Sequence, residues 1–241
     1  MNTNRIGEIH LTKEGDKAEI VDYNGSNNCT IKLPSGDIMR KIQYGNLKRG
    51  TVTNLYHPST YEVGYIGQGN YKSKGKHAKI YEYWRDIYKR TYSKKELIKN
   101  PSYTPCLVSI DWHCFQNFAP WYEENCKSHM NGWEIDKDIL FKGNKIYSPE
   151  TCCFVPHEIN SLFVTSNRSR GKYPVGVHKK GEKYVAQIMI DKYKVHIGVF
   201  DTPEEAFFAY KVEKEKEIKR VADKWKDLIT PEVYNAMYNW K

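Results

Sequence analysis

The chain has 241 residues, with 38 Lys and Arg against 29 Asp and Glu and a net charge of +9. Only 39% of the residues are hydrophobic, which suits several small cores rather than one large one, and no apolar run is long enough for a membrane span. Aromatic residues, 19 of them Tyr, run through the whole length, which excludes a polar disordered chain.

The charge is concentrated. Residues 71–99 hold 10 basic and 3 acidic groups, and residues 168–196 hold 8 and 2. Between them, residues 100–167 hold 4 basic and 8 acidic groups. Localised positive charge attracts polyanions because binding releases their counterions, so nucleic acid is the expected partner and a membrane is not. The six cysteines form no C-x-x-C pair, and Met1-Asn2-Thr3-Asn4-Arg5-Ile6 has no apolar segment of the signal-peptide kind. Both features point to a cytoplasmic chain with reduced thiols. Cys152 and Cys153 are expected to be buried thiols rather than a disulfide.

Residues 1–70 read as a small β-rich domain, a barrel or meander of the Src-homology type. Glu19-Ile20-Val21-Asp22-Tyr23 and Cys29-Thr30-Ile31-Lys32-Leu33 are strand-like, although their alternation is not clean. Asn24-Gly25-Ser26-Asn27-Asn28 and Pro34-Ser35-Gly36-Asp37 supply turns. Gly64, Gly67 and Gly69 read as a linker. A helix is predicted over 80–92, with Ile80, Trp84, Ile87 and Tyr88 on one face. A second is predicted near 112–125, with Trp112, Phe115, Ala119 and Tyr122 in one stripe. Both stripes are expected to be core.

Residues 133–160 read as a strand, a Gly143-Asn144 turn, an irregular return and a helix opened by Pro156. Asp136 and Asn160 can meet across such a unit, and a carboxylate with an amide oxygen suits a hard divalent ion. His157 and Asn160 are three apart and share a helix face. His113, Cys114, Cys126 and His129 lack the spacing of a standard finger, so zinc is not expected.

The C-terminal segment predicts strands over 175–180, 184–190 and 194–200, then a helix to about residue 219. Thr202-Pro203-Glu204-Glu205 is a capping box with Pro at the first helical position. Alternation puts Val175, Val177, Tyr184, Ala186, Ile188, Val195, Ile197 and Val199 on one side of the sheet. His178, Lys180, Gln187, Met189, Lys194 and His196 fall on the other. A basic sheet face of this kind can enter a major groove.

Val175-Gly176-Val177, Tyr184-Val185-Ala186-Gln187-Ile188 and Ile197-Gly198-Val199-Phe200-Asp201-Thr202-Pro203-Glu204-Glu205-Ala206, ending at Ala209-Tyr210, carry a resemblance. This stretch resembles the Apetala/ethylene-response-factor DNA-binding domain. That implies a three-stranded sheet reading double-stranded DNA through His178, Lys180, Gln187, Met189, Lys194 and His196, with Lys172 of the same basic block alongside. The family usually has Arg and Trp at such positions.

Trp133-Glu134-Ile135-Asp136-Lys137-Asp138, Lys142-Gly143-Asn144-Lys145 and Cys153-Phe154-Val155-Pro156-His157-Glu158-Ile159-Asn160 resemble the HNH endonuclease ββα-metal motif of phage homing endonucleases. The resemblance implies Asp136 and Asn160 as ligands of Mg or Mn. Lys137 stands where the motif has its general-base histidine, and Thr151 where it has its central Asn. His157 is the other candidate for the base.

The expected protein is α+β. It has the β-rich domain at 1–70, an HNH-like domain with preceding helices at 71–167, an Apetala-type domain at 168–225 and a tail at 226–241. Its expected function is that of a phage-type homing or nicking endonuclease, placed in the host cytoplasm. The alternative is an inactive scaffold acting as a nucleic-acid-binding regulator, or as a phage inhibitor of a host nucleic-acid-handling defence complex.

Overall fold

The structure is a computed structural model and describes residues 4–163 and 172–240. It is mixed helix and sheet, 38% helical and 23% strand. The chain divides into two compact units, Met1–Asn100 with Val108–Tyr122, and Pro101–Leu107 with Glu123–Lys241.

The first unit opens with β1 (Ile9–Leu11), β2 (Lys17–Tyr23), β3 (Cys29–Lys32) and β4 (Ile38–Ile42), paired antiparallel in sequential order. Of the two expected forms this is the meander, and it does not close into a barrel. Ala18, Ile20, Ile31, Leu33 and Met39 are buried together, with Leu47 from α1 (Tyr44–Lys48) and Val52. The register shifts between Ile20 and Asp22 and again between Cys29 and Ile31. Each shift breaks the two-residue period, which is why the alternation is incomplete in the sequence.

The rest of the unit is an aromatic core. Along α2 (Ala78–Tyr92) the buried stripe contains Ile80, Trp84, Ile87 and Tyr88, as the spacing predicts. Lys79, Arg85 and Lys89 stay exposed, as do Lys94, Lys95 and Lys99 of α3 (Lys94–Lys99). The Trp112 carbonyl, on α4 (Ile110–His113), accepts from the Trp84 indole at 2.8 Å and from the Tyr88 hydroxyl at 3.1 Å. Phe115 and Phe118, from α5 (Phe115–Asn125), are fully buried.

The glycines at 64, 67 and 69 are not a free linker. The Tyr65 N–H donates to the His113 carbonyl and the Phe115 N–H to the Tyr65 carbonyl, both at 2.9 Å. A Cβ on Gly64 would lie 2.9 Å from the rings of Trp84 and Tyr88, and one on Gly69 would lie 2.1 Å from Gln116 Oε1. Here glycine permits close approach of the backbone to packed side chains, not flexibility.

The strands β5 (Leu107–Val108), whose Val108 is counted with the first unit, and β6 (Glu134–Asp136), β7 (Ile146–Tyr147) and β8 (Cys153–Val155) of the second are short. β6 and β8 pair antiparallel, Glu134 opposite Val155 and Asp136 opposite Cys153. α6 (His157–Phe163) follows Pro156, which completes a strand–strand–helix unit. Cys152 and Cys153 are buried free thiols, and burial pushes the Cys152 thiol up to about 12.

A three-stranded antiparallel sheet comes next: β9 (Val177–Lys180), β10 (Lys183–Ile190) and β11 (Tyr193–Phe200), with β10 in the centre. α7 (Pro203–Trp225) lies on it. Its capping box forms as predicted, with the Glu205 N–H donating to Thr202 Oγ1 at 3.2 Å and the Thr202 N–H to Glu205 Oε2 at 3.3 Å. Ala206 and Tyr210 pack with Ala186 and Ile188. α7 runs past the predicted end because its second half has another role. Ile218, Val221 and Ala222 are buried there, while Lys224 Nζ and Trp225 Nε1 each donate at 2.7–2.8 Å to the Glu158 carboxylate on α6. Residues 226–241, expected as a tail, carry α8 (Pro231–Tyr238) with Val233 and Met237 buried. No helix among the described residues is long and apolar enough to cross a membrane.

Gly176 ties the sheet to the helix. Its φ is +79°, and a Cβ there would fall 2.1 Å from the Tyr210 ring. Gly176→Ala is expected to cost about 2 kcal/mol or more, because the new methyl meets both a ring and a left-handed backbone. Urea unfolding of the two proteins measures it, and an unchanged midpoint would contradict the packing.

Candidate nucleic-acid interface

The free face of the three-stranded sheet is built by cross-strand pairs. Gln187 lies opposite His196, Met189 opposite Lys194, Val185 opposite both His178 and Val199, and Lys180 opposite Lys183. Residues directly opposite each other point to the same side, so the six predicted positions share one face. Gln187 is half-buried, and the other five are exposed. Lys172 is exposed ahead of β9, while residues 168–171 of the basic block lie outside the described residues.

One part of the predicted sorting is corrected. The register shifts between Ala186 and Gln187, whose partners are Gly198 and His196, so Ile197 is a bulge. Before the bulge, Lys194 and His196 point outward as alternation requires. After it the parity reverses: Val199 joins Val185 on the free face and is 56% exposed, while Phe200 turns under the helix. Val195 does sit opposite buried Ile188, but on the edge strand, where it stays exposed.

The face fits a groove by size. Three strands about 4.8 Å apart are roughly 10 Å across, against a major groove about 12 Å wide. Lys183, which alternation assigns to this face although the reading above did not include it, is paired with Asp201. Lys180 and Lys194 make no ion pair among the described residues.

The strand–strand–helix unit arranges its predicted residues differently. Asn160 Nδ2 donates to Glu134 Oε2, and His157 Nδ1 lies 2.8 Å from Glu134 Oε1. Glu134 is therefore the carboxylate that gathers the helix residues, and the sequence reading passed over it. Its signal was the spacing: Glu134 and Asp136 are two apart on one strand and share its face. Because a carboxylate accepts, Nδ1 of His157 carries the hydrogen that faces Glu134, and Nε2 is the ring nitrogen left over on a side chain 80% exposed.

Asp136 is turned inward and is 9% exposed. Its Oδ1 accepts the backbone N–H groups of Asp138 at 2.8 Å and Ile139 at 2.7 Å. Burial and then the neighbouring Asp138 charge push its carboxyl up to about 6. Lys137 is 6% exposed, its Nζ 3.1 Å from Asp138 Oδ2 and close to the rings of Tyr103 and Tyr147. Burial is the largest influence and works against its charge, but Asp138 together with Cys106 and Asp136 outweighs it and the net shift is upward. Lys137 thus stays an ammonium and has no lone pair with which to take a proton. Thr151 holds the return loop, its hydroxyl donating to the Ile146 carbonyl at 2.8 Å.

Among the described residues no group of three or more His, Cys, Asp or Glu is placed to hold a metal. His113 and Cys114 face the backbone carbonyls of Val108 and Ile66, and His129 that of Leu228. The expected meeting of Asp136 with Asn160 is not made: Asn160 bonds to Glu134, and no hydrogen bond joins it to Asp136 among the described residues. All three side chains carry oxygen, the donor type that Mg or Mn takes.

No protein-family model matches the chain, and no curated protein and no solved structure matches it. The likeness to the two families rests on the motif residues themselves.

Two outcomes follow from this geometry. Asp136 has a folded-state pKa above its ordinary value, so its ionisation removes stability as pH rises from about 4 through 6. In chelator, Asp136→Asn is expected to be more stable than wild type by about 1–3 kcal/mol near neutral pH and equal to it below about pH 4. Thermal melts read this. Adding Mg or Mn should raise the melting temperature of wild type and leave Asp136→Asn unmoved. On the sheet, Lys180→Ala with Lys194→Ala is expected to weaken duplex binding and to reduce the log–log salt slope by about 2. An unchanged slope in a fluorescence-anisotropy titration would remove this face from the contact surface.

Proposed function

We propose that this protein binds double-stranded DNA through the free face of its C-terminal sheet and nicks it with the strand–strand–helix unit, in the manner of the phage HNH endonucleases it resembles. One observation carries the binding half. His178, Lys180, Gln187, Met189, Lys194 and His196 lie on one sheet face, with all but Gln187 exposed. Lys reaches phosphates and guanine, Gln pairs with adenine, and Met and Val offer apolar contact to a thymine methyl.

For the nicking half, His157 is the base. Its Nδ1–H is held by Glu134, and its outward Nε2 takes the proton from an attacking water. Asp136 and Asn160 would hold the ion. Bound there, Mg or Mn would polarise the phosphate and offset the charge that develops on it. Lys137 serves as an internal counter-charge to Asp138.

A second reading has its own support. The position at which the resembled motif carries its histidine is filled by a buried, paired lysine. On that reading the unit is an inactive scaffold, and the protein is a DNA-binding regulator or an inhibitor that occupies a host nucleic-acid-handling complex.

Supercoiled-plasmid nicking with Mg or Mn separates the readings. Wild type is expected to nick, and His157→Ala, Asp136→Ala and Asn160→Ala to lose about 100-fold or more in rate. Binding without nicking would select the scaffold reading, and absence of both would sink the two together.

A further inference from the structure

A cleft of about 520 Å³ opens within the second unit, in the size range of small-ligand sites. It has a structural cause. β9 pairs with β10 over residues 183–186, the Gln187 N–H then donates to the Gly176 carbonyl at 2.9 Å, and among the described residues no strand pairs with β10 on that side beyond it. Gln187, Ile188 and Met189 at that edge line the cleft, which continues under α7 to Phe163 and Trp240. Its walls are aromatic and cationic. Phe163 packs on Trp240 with centroids 4.4 Å apart, and Phe207 contributes a further ring. Lys194, Lys211 and Lys214 line it too, against one acid, Glu215, and Lys142 Nζ stands 4.8 Å from the Trp240 ring centroid.

Lys214 is the informative member. It is half-buried, and no hydrogen bond or ion pair satisfies it among the described residues. Burial lowers its pKa and the Glu217 charge works against that, while the Glu217 carboxylate is itself bonded by Arg220 at 2.7 and 2.8 Å. An ammonium held partly out of water, with no hydrogen bond or ion pair among the described residues, is a group that an anionic ligand would satisfy. Rings within the same cleft give that ligand a flat part to stack on.

We propose that this cleft binds a single nucleotide, with its base against the Phe163, Trp240 and Phe207 rings and its phosphate on Lys211 and Lys214. The inference rests on the DNA-binding reading for its context, since Met189 and Lys194 belong at once to the sheet face and to the cleft. The ligand chemistry is the same whether the nucleotide is free or turned out of a duplex held on the face. Eversion carries an unstacking cost of a few kcal/mol that a mismatch reduces.

The test uses the full chain. Deoxyadenosine monophosphate is titrated calorimetrically, with inorganic phosphate and deoxyadenosine as controls. In parallel, a duplex with a mismatched 2-aminopurine is followed by fluorescence. The nucleotide is expected to bind in preference to either control. Its binding should weaken about tenfold in Lys214→Ala and in Trp240→Ala and stay unchanged in Lys180→Ala, with melting temperatures confirming that the variants fold. A rise in 2-aminopurine emission that Trp240→Ala abolishes identifies an everted base as the ligand. A silent probe with nucleotide binding intact identifies free nucleotide. No nucleotide binding by wild type, or equal binding by the cleft variants, overturns the proposal. Loss of duplex binding in Lys180→Ala does not touch the cleft, so the two readings fail separately.

Discussion

A three-stranded sheet has two faces, and α7 covers one of them. The covered face closes because Ala206 on the helix and Ala186 on the sheet let backbones approach, with Ile188 and Tyr210 filling the remaining space. Each aliphatic side chain buried in this way contributes about 1.5–3 kcal/mol. The sheet therefore has one stable side for its apolar residues, and its polar residues are left to the other. The helix then continues. Its second half buries Ile218, Val221 and Ala222, and its end clamps the Glu158 carboxylate on α6. One element thus orients both the basic face and the helix that carries His157 and Asn160.

Around the strand–strand–helix unit, electrostatics does what packing does on the sheet. Glu134, Asp136 and Asp138 lie within five residues of chain, and each has a different solution to its charge. Glu134 meets His157 and Asn160, and Asp138 meets Lys137. Asp136 accepts two backbone N–H groups, which oppose but do not cancel the rise in its pKa from burial and from the Asp138 charge. That leaves Asp136 as the carboxylate for which a cation would do most.

Much of this was legible beforehand. The capping box at Thr202, the aromatic stripe of α2 and the three C-terminal strands follow from local rules: a side chain reaching its own backbone, or apolar residues repeating at the period of the element. The six face positions were legible for the same reason. Glu134 was not, because its partners are 23 and 26 residues away, and its two-residue spacing from Asp136 marks the pair as sharing a face without telling which of them meets the helix. The glycines at 64, 67 and 69 misled because glycine serves free turns and tight packing alike, and only the positions of Trp84, Tyr88 and Gln116 tell which.

The sequence by itself determined the helix over 80–92, the three C-terminal strands and the capped start of the helix after them, where the charge concentrates and which side of the C-terminal sheet carries its polar residues, since these depend on neighbours along the chain. Tertiary structure decided the rest. A bulge at Ile197 reversed the parity of Val199 and Phe200, because an extra residue in a strand is visible only against its partner. Packing on α6 and α8 drew α7 beyond its sheet. A cleft that no motif announces opened beside β10, burial raised the pKa of Asp136, and the acidic neighbours of Lys137 kept it charged against burial. Each of these depends on groups distant in the chain, whose positions exist only once the chain has folded.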